Sequence, residues 1–529
     1  MSEEKIQSST ESNNDSGIER RSFLEALVAL PVIGVFFVSF LQKKAADDAK
    51  KEAIMAELGV QEGGPAYIPN AISRPPSERI RFGIIGYGGE GESLVRHAGF
   101  AHPDWVEGAR QDHVEDPRNK ELEVYMGQED LNVQLTAVCD VFDKRAERAI
   151  AASQVDTRPG AGGAMPPAKR YRHYQDLLTS GEVDAVIIAT PDHWHAQITL
   201  DAVAEGIHVY CEKCMTRTEA ETLAVHEAVS NSEIVFQLGH QNRQSEAHMK
   251  AREVIDANIL GPLTLVEGTT NRNTPWGAWV WDIEEEGNPR TIDWDLFQGP
   301  APNRVPFNLE RFFRWRCWYD YGTGLAGDLL SHEYDAVNMI LDLGIPKSAV
   351  ASGGIYYFKD GRDVPDVFQS VFEYPDRDLT FVYSATLANG HYRGLNFMGH
   401  DASMKVSGTL SVTADSESTR YEKKIEDGII DPHRPMFTYR PGFKGIDAIT
   451  SATAEYFASR GLLYTYRGGR RMSAYHLLIA EWLDVIRHGG ETSCNIERGF
   501  EEAITCHMAT RSFLENRKVE WDPVARQIV

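Results

Sequence analysis

Ile80-Arg81-Phe82-Gly83-Ile84-Ile85 runs straight into Gly86-Tyr87-Gly88-Gly89-Glu90-Gly91, and the reading of this stretch decides the fold. The first six residues read as a short buried strand, and Ser93 to Ala98 begins a helix. A glycine pattern alone is weak; one set between a strand and a helix reads as the opening of a dinucleotide-binding βα unit. Gly86 allows the tight turn, Gly88 lets the backbone approach a pyrophosphate, and Gly91 lets helix and strand pack closely. The helix N-terminus adds donors and positive potential for phosphates. Gly86, Tyr87, Gly88 and Gly91 are therefore expected to contact a dinucleotide.

Such a unit wants an acid at the end of its second strand, about twenty residues on. Here the acid comes later, because a polar stretch around His102 to Asp130 intervenes as an insertion. Leu135-Thr136-Ala137-Val138-Cys139 makes the strand and Asp140 ends it. A carboxylate there accepts ribose hydroxyls and repels a 2′-phosphate, which favours NAD; Lys144 and Arg145 follow closely, so NADP is not excluded. The alternative for Asp140 is a helix cap before Lys144 to Ala152. Further strands follow at βα spacing, at Val183 to Ala189, Ile207 to Tyr210 and Ile234 to Leu238, with helices between them. This is the pattern of a doubly wound parallel sheet, whose ligands bind beyond the carboxyl ends of the strands. Thr190-Pro191, Glu212-Lys213 and His240-Gln241-Asn242-Arg243 occupy those ends.

Beyond Gly261 the pattern changes to strands joined by short turns, such as Tyr374-Pro375-Asp376, which implies a largely antiparallel open sheet. Helices return near Ala474 to Arg487 and Glu501 to Glu515. The fold class is thus α/β: a Rossmann sheet followed by an α+β domain. The expected boundaries are 79–213 for the dinucleotide domain and 214–529 for the substrate and oligomerisation domain.

The 529-residue chain carries a net charge of −24, which argues against a nucleic-acid or anionic-membrane surface, where Lys and Arg excess is needed. Aromatic residues crowd into Trp276 to Trp318, a candidate wall for sugar rings, with aromatic core packing as the alternative. Six scattered cysteines are too few for a disulfide scaffold.

Arg20-Arg21-Ser22-Phe23-Leu24 resembles a twin-arginine export signal, and an uncharged, mostly apolar run from Ala26 to Leu41 follows it. Residues 1–44 therefore read as a signal or a membrane anchor, with both cleavage and retention open, and 45–78 as a linker. The expected location is the periplasm or the outer face of the cytoplasmic membrane, reached through the twin-arginine translocation machinery. Free nicotinamide dinucleotides are scarce there, so the cofactor is expected to be held tightly.

Further along stand Thr190-Pro191-Asp192-His193-Trp194-His195, Glu212-Lys213 and Asp328 with His332. With the glycine turn they resemble the Gfo/Idh/MocA family, the glucose–fructose oxidoreductase and inositol dehydrogenase relatives, from about Arg79 to the C-terminus. The resemblance implies that Thr190, Pro191 and His195 lie at the nicotinamide half of the cofactor, with Glu212, Lys213 and Gln241 also in contact. Asp328 and His332 match the family's Asp-x-x-x-His pair, spaced i, i+4 on a helix over Leu325 to Leu343. A helix-surface ion pair is the alternative for these two. One departure stands out: the family's proline after the lysine is Cys214 here, so the bend at Lys213 must be held another way. Cys211-Glu212-Lys213-Cys214 also admits a redox or zinc reading, with no second CxxC to support it. The histidines and Asp328 admit a metal site, but the dinucleotide motifs account for most of them, so none is expected.

The resemblance implies oxidation of a hydroxyl on a sugar, glycoside or cyclitol. His332 would accept the proton, Asp328 would orient the imidazole, and Lys213 would polarise the forming carbonyl or share the proton if its pKa is lowered. His240, Asn242, Arg243, Trp281, Tyr319 and Asp320 are candidates for substrate contact. The family's second sheet implies a homo-oligomer. The competing reading is an NAD-dependent glycoside hydrolase or lyase working by transient oxidation and elimination; a binding protein without turnover is the third.

Overall fold

The computed structural model describes residues 78–160, 163–441, 464–467 and 470–529, with isolated positions between 42 and 65. The twin-arginine segment, the apolar run after it and nearly all of the linker lie outside the described residues. Among the described residues no helix is long and apolar enough to cross a membrane.

Within the compact unit Val60–Val529, the first sheet forms as its apolar runs dictate. Its strands are β1 (Ile80–Ile85), β2 (Val133–Cys139), β3 (Lys169–Tyr171), β4 (Ala185–Ile188), β5 (His208–Cys211) and β6 (Phe236–Leu238). Among the described residues they lie in the order β3-β2-β1-β4-β5-β6, and every pairing is parallel. That is the doubly wound order, with its crevice where the order reverses between β1 and β4. All four residues of β4 are buried, as a strand covered by helices on both faces requires. The crossovers include α1 (Gly89–His97), α2 (Asp143–Ser153), α3 (Asp192–Ala204) and α4 (Glu219–Ser230). A capping box at Thr218 and Glu221 starts α4: the Thr218 side chain accepts from the Glu221 N–H, and Glu221 answers on the Thr218 N–H.

Two details depart from the sequence reading. The inserted stretch folds into helices at Pro103–Glu115 and Glu121–Met126, tied down by the buried Tyr125 hydroxyl, whose single proton is shared between the Gly99 and Thr157 carbonyls at 3.1 and 3.0 Å. The parallel sheet also runs through β6, the strand expected at Ile234 to Leu238, so its end lies past the boundary set at 213.

The second sheet begins with β7 (Leu263–Asn271). It continues through α5 (Ser331–Leu341), β8 (Ser348–Gly354), β9 (Val367–Tyr374), β10 (Leu379–Thr386) and β11 (Leu395–Gly399). Then come β12 (Ala402–Val406), β13 (Leu410–Ala414), β14 (Phe437–Tyr439) and a separate ribbon of β15 (Tyr464–Arg467) and β16 (Arg470–Ser473). After the helices α6 (Ala474–His488) and α7 (Ile496–Glu515) the chain closes with β17 (Val519–Asp522) and β18 (Gln527–Ile528). Among the described residues the sheet has ten strands, β14-β13-β12-β11-β7-β10-β9-β8-β17-β18. It is mostly antiparallel as expected; β7 and β10 pair in parallel. Burial alternates along β9 and β10, the mark of a sheet with one covered face. Helix α7 covers part of it: the Ser512 hydroxyl accepts from the Ala351 N–H at 2.9 Å.

Helix α6 belongs late in the sequence but packs into the core of the first sheet. Leu478, Ile479, Trp482 and Leu483 are buried with Phe82, Ile84 and Leu135, and Trp482 meets Tyr210 edge-on at 5.8 Å. The chain thus returns to its first domain after completing most of the second, and Tyr475 at the start of α6 is delivered to the crevice.

Candidate active site

The carboxyl ends of β1, β2, β4 and β5 open onto a cavity of about 2030 Å³, whose facing wall comes from β7, the loops around residues 272–316, and α5. Gly86, Gly88, Gly89 and Glu90 form its floor at one end. Gly86 has φ +89°, and a Cβ there would lie 2.6 Å from the Ala189 carbonyl oxygen. A Cβ on Gly91 would lie 2.1 Å from the Gly86 oxygen, so this glycine is required by close packing of turn and helix. Gly89, by contrast, has nothing within 4 Å of where its Cβ would be. The α1 N-terminus beside it has no side-chain cap, leaving backbone donors for an anion.

Asp140 ties this floor together. Its carboxylate accepts from the Tyr87 N–H at 2.6 Å and the Phe142 N–H at 2.8 Å. It bonds two residues ahead and across to the glycine turn, so it is not the cap of α2. Burial pushes its pKa up, opposed by Arg145. Lys144 is drawn off to Glu284 and Glu286 at 2.8 and 3.0 Å, while Arg145 lines the cavity against Phe312 and Phe313. Thr190 lines the cavity too, and its buried hydroxyl has no hydrogen-bond partner among the described residues. An open glycine floor, an uncapped helix end, a carboxylate with spare lone pairs and an unsatisfied hydroxyl fit a nicotinamide dinucleotide.

The other end holds the titratable groups. Lys213 follows β5, and its Nζ donates to the Asp328 carbonyl at 2.8 Å and to Asp328 Oδ1 at 2.9 Å. Burial alone would lower the ammonium's pKa, but the Asp328 carboxylate outweighs it and the value is raised. Lys213 therefore stays charged, which removes it as a proton acceptor. Asp328 also accepts from Arg316 Nε at 2.9 Å and Trp279 Nε1 at 3.0 Å. Burial would raise its pKa, yet Lys213 and Arg316 hold it far below the usual carboxylate range.

The expectation that Asp328 orients His332 is corrected here: its carboxylate is taken by Lys213, Arg316 and Trp279, and no hydrogen bond joins it to the imidazole among the described residues. The backbone explains part of this. Ala326–Leu330 is a π-helical turn leading into α5, so Asp328 and His332 do not stand in a regular α-helical i, i+4 relation. His332 nonetheless lines the cavity, and burial first, then Lys213 and His240, push its pKa well below its ordinary value.

The bend after Lys213 is present without a proline. The Lys213–Cys214 peptide is cis. His195 braces it, its Nδ1 at 2.6 Å from the Cys214 carbonyl and its Nε2 at 2.8 Å from the Thr190 carbonyl. Cys214 Sγ meets Thr323 Oγ1 at 2.7 Å. Cys211 and Cys214 are both buried free thiols, their pKa values raised by burial. His195 thus supports the site from behind rather than lining it. Glu212 lines the cavity with a buried Oε1 that has no hydrogen-bond partner among the described residues, and burial raises its pKa.

The substrate candidates divide. Asn242 and Trp281 line the cavity, as does Gln241, whose Nε2 donates to the Tyr475 hydroxyl at 2.9 Å. His240 does not: it is wholly buried, 3.9 Å from Asp335 and 4.0 Å from Glu502. Arg243 is likewise buried in an ion pair with Asp335 at 2.6 Å. Tyr319 and Asp320 also fall outside the lining; the Tyr319 N–H donates to Asp363, and Asp320 is held by Arg311 at 2.7 Å. In their place stand residues the sequence reading did not name as contacts: Arg272, Trp276, Trp279, Trp315, Arg316 and Glu333. Only the aromatic crowding between Trp276 and Trp318 signalled any of these.

Comparison with known proteins agrees with this architecture. Residues 80–240 match the model of the oxidoreductase family with an NAD-binding Rossmann fold, and residues 282–521 match that family's C-terminal α/β domain. Levoglucosan dehydrogenase of Pseudarthrobacter phenanthrenivorans is 26% identical over 191 residues, covering 34% of this chain and 41% of the relative. Inositol 2-dehydrogenase of Salmonella typhimurium is 28% identical over 137 residues, covering 26% of this chain and 38% of the relative. The matched segments thus span less than half the length of both. The solved structure of levoglucosan dehydrogenase with NADH and levoglucosan covers 84% of this chain and 99% of its own, at a TM-score of 0.54 and 17% identity, which shows a shared fold. With both domain models matched over the two sheets that face this cavity, the chain belongs to the Gfo/Idh/MocA family of NAD-binding oxidoreductases.

Proposed function

We propose that the protein oxidises a hydroxyl of a sugar, glycoside or cyclitol, with NAD held in the glycine-floored half of the cavity. The observation that carries this reading is the pairing of a charged lysine with a neutral imidazole across one cavity. Lys213 is kept as an ammonium by Asp328, and His332 is kept neutral by burial and by Lys213.

Those states suit alcohol oxidation. When bound, NAD supplies the acceptor for a hydride. Neutral His332 has a free nitrogen lone pair and takes the hydroxyl proton as general base. Lys213 donates to the substrate oxygen and stabilises the negative charge that grows there as the proton leaves. Asp328 positions Lys213 and balances its charge. Gly86, Gly88 and the α1 N-terminus hold the pyrophosphate, and Asp140 accepts from the adenosine ribose. Thr190, Pro191, Glu212 and Gln241 stand toward the nicotinamide. The relatives that are sugar and cyclitol dehydrogenases support the substrate class.

The Arg20-Arg21-Ser22-Phe23-Leu24 segment supports export through the twin-arginine route and a cofactor carried across within the folded protein. Cell fractionation of an Arg20→Lys, Arg21→Lys variant tests this: retention in the cytoplasm is expected, and unchanged export contradicts it.

The activity is tested by near-UV absorbance of nicotinamide in the purified protein, titrated with sugars and glycosides. Lasting reduction by a free sugar or cyclitol is expected. Glycosidic cleavage with no lasting reduction would instead support the hydrolase reading on the same residues.

A further inference from the structure

The substrate half of the cavity carries more positive charge than its mechanism uses. Arg316 spends only Nε on Asp328, at 2.9 Å. Its guanidinium lies over Trp315, 4.2 Å from the ring centroid, and its two terminal nitrogens make no hydrogen bond among the described residues. The Arg316 side chain is 27% exposed, against 10% for Lys213, so it reaches further into the open space. Arg272, at the end of β7, lines the same cavity and forms no ion pair among the described residues. Among the described residues its one side-chain hydrogen bond is a long 3.4 Å contact to the Gly277 carbonyl. Gly277 stands two residues before Trp279, which holds Asp328 Oδ2, so this guanidinium belongs to the same corner.

Three fixed cations, Lys213, Arg272 and Arg316, therefore face two committed carboxylates: Asp328, and Asp192, which also acts on Arg316 and whose Oδ2 accepts from the Thr323 N–H and hydroxyl. The remaining acids here do not restore the balance. Glu333 lines the cavity with its pKa pushed up to about 7 by burial, and burial also raises Glu90 and Glu212. Asp282 lines the cavity from an exposed position near its rim. The cofactor's phosphates do not account for the excess, since their place is the Gly88–Gly89 floor at the other end. Nor does the molecule's general charge: the chain as a whole is at −24, so this corner runs against it. Trp276, Trp279, Trp281 and Trp315 wall it and displace water, which strengthens each charge inside.

We infer that the substrate carries an anionic group, a carboxylate or a phosphate on the ring, received by the guanidinium forks of Arg272 and Arg316. The inference rests on the sugar oxidoreductase reading for its ring and on the two arginines for its charge. A guanidinium offers planar paired donors that match a carboxylate or phosphate, which a neutral hydroxyl cannot fill.

The test is binding, read by quenching of the cavity tryptophans in the full chain loaded with NAD. The matched probes are D-glucuronate against D-glucose, D-galacturonate against D-galactose, and glucose 6-phosphate. The better acidic probe is expected to bind about tenfold to hundredfold tighter than its neutral partner. Tighter binding of the uronates marks the carboxylate as the group, and of the sugar phosphate the phosphate. In Arg272→Gln the preference is expected to collapse toward one, and in Arg272→Lys to return in part, with melting curves confirming that both fold. Equal affinities within every pair, no measurable binding of any acidic probe, or a preference untouched in Arg272→Gln overturns the inference. Acid-selective binding without reduction of NAD keeps it while removing the oxidoreductase reading, so the two failures are distinguishable.

Discussion

The two walls of the cavity are made by different kinds of chain. The cofactor wall is built from strand ends and the turns that follow them: Gly86 to Gly91, Asp140, Thr190, Glu212. The substrate wall is built mostly from loops and helix ends: Arg272, Trp279, Arg316, His332, Tyr475. In the first, backbone geometry does most of the recognition, so glycines and N–H groups matter more than side chains. In the second, charge does, and each side chain's protonation depends on its neighbours. A change in the first should therefore weaken cofactor binding, and a change in the second should alter chemistry while cofactor stays bound.

The largest expected effect lies on the substrate wall. His332→Ala should lower kcat/KM by about 10³-fold while leaving the Kd for NAD within about twofold, as loss of a general base does. Stopped-flow reduction and a separate binding titration check the two halves of that statement; a matching loss of NAD affinity would break the division between the walls. The same electrostatics set the pH profile. His332 stays neutral to well below its ordinary value of 6.5, and Lys213 stays charged above its ordinary 10.5. The rate should thus be level across that interval, with its acid limb well below 6.5; an acid limb centred at 6.5 would contradict the burial argument.

Stability, unlike rate, should respond to mild acid. Burial lowers His193, His476 and His507 to about 4 in the folded chain, from 6.5. The unfolded chain takes up these protons first, so stability is full above 6.5 and is lost as pH falls from there toward 4. A Tm that drops by several degrees over that window is expected; a flat Tm would show that these rings are charged in the fold.

The cofactor wall should give a smaller effect of another kind. Gly91→Ala places a Cβ against the Gly86 carbonyl, and the strain of such overpacking is about 1–3 kcal/mol, or roughly tenfold to hundredfold in NAD affinity. Isothermal titration should find kcat at saturating NAD nearly unchanged. The smallest change expected is Asp140→Asn, which removes the charge and keeps only one of the bonds from the Tyr87 and Phe142 N–H groups, because the two are accepted by different oxygens. It should narrow the preference for NAD over NADP by about tenfold or less, because Arg145 then stands beside the site opposed only by Glu284, at 3.6 Å; a wider preference would contradict the placing of Asp140 at the ribose.

How much of this was legible in the sequence follows the same division. Five strands of the parallel sheet were readable because they are largely apolar runs; Gly86 and Asp140 directly follow two of them and Lys213 follows a third with one residue between, whereas β3, Lys169-Arg170-Tyr171, carries no such signal. Lys213, Asp328 and His332 were found by resemblance, and the cavity does bring all three together. His240 and Arg243 were misjudged by a sound rule applied one step too far. They do follow β6, but the chain turns inward there, and Asp335, Glu502 and Ser493 wait beneath to take them. The role of Asp328 was misread because i, i+4 spacing assumes an α-helix, and the π-helical turn at Ala326–Leu330 does not announce itself in the residues. Arg272 and Arg316 were not legible because a lone arginine in a loop carries no periodic signal; only the folded chain shows that both reach Asp328's corner. Helix α6 was visible as a helix, but nothing in its sequence said that it would pack on a sheet begun nearly 400 residues earlier.

The central claim is that a charged Lys213 and a neutral His332 act together on a sugar hydroxyl beside bound NAD. The most direct test is Lys213→Met, with reduced nicotinamide followed in the near-UV after mixing with the best sugar found for the wild type. The account expects NAD to bind as before and reduction to fall by at least about 10³-fold. Reduction at the wild-type rate, with NAD equally well bound, would contradict it.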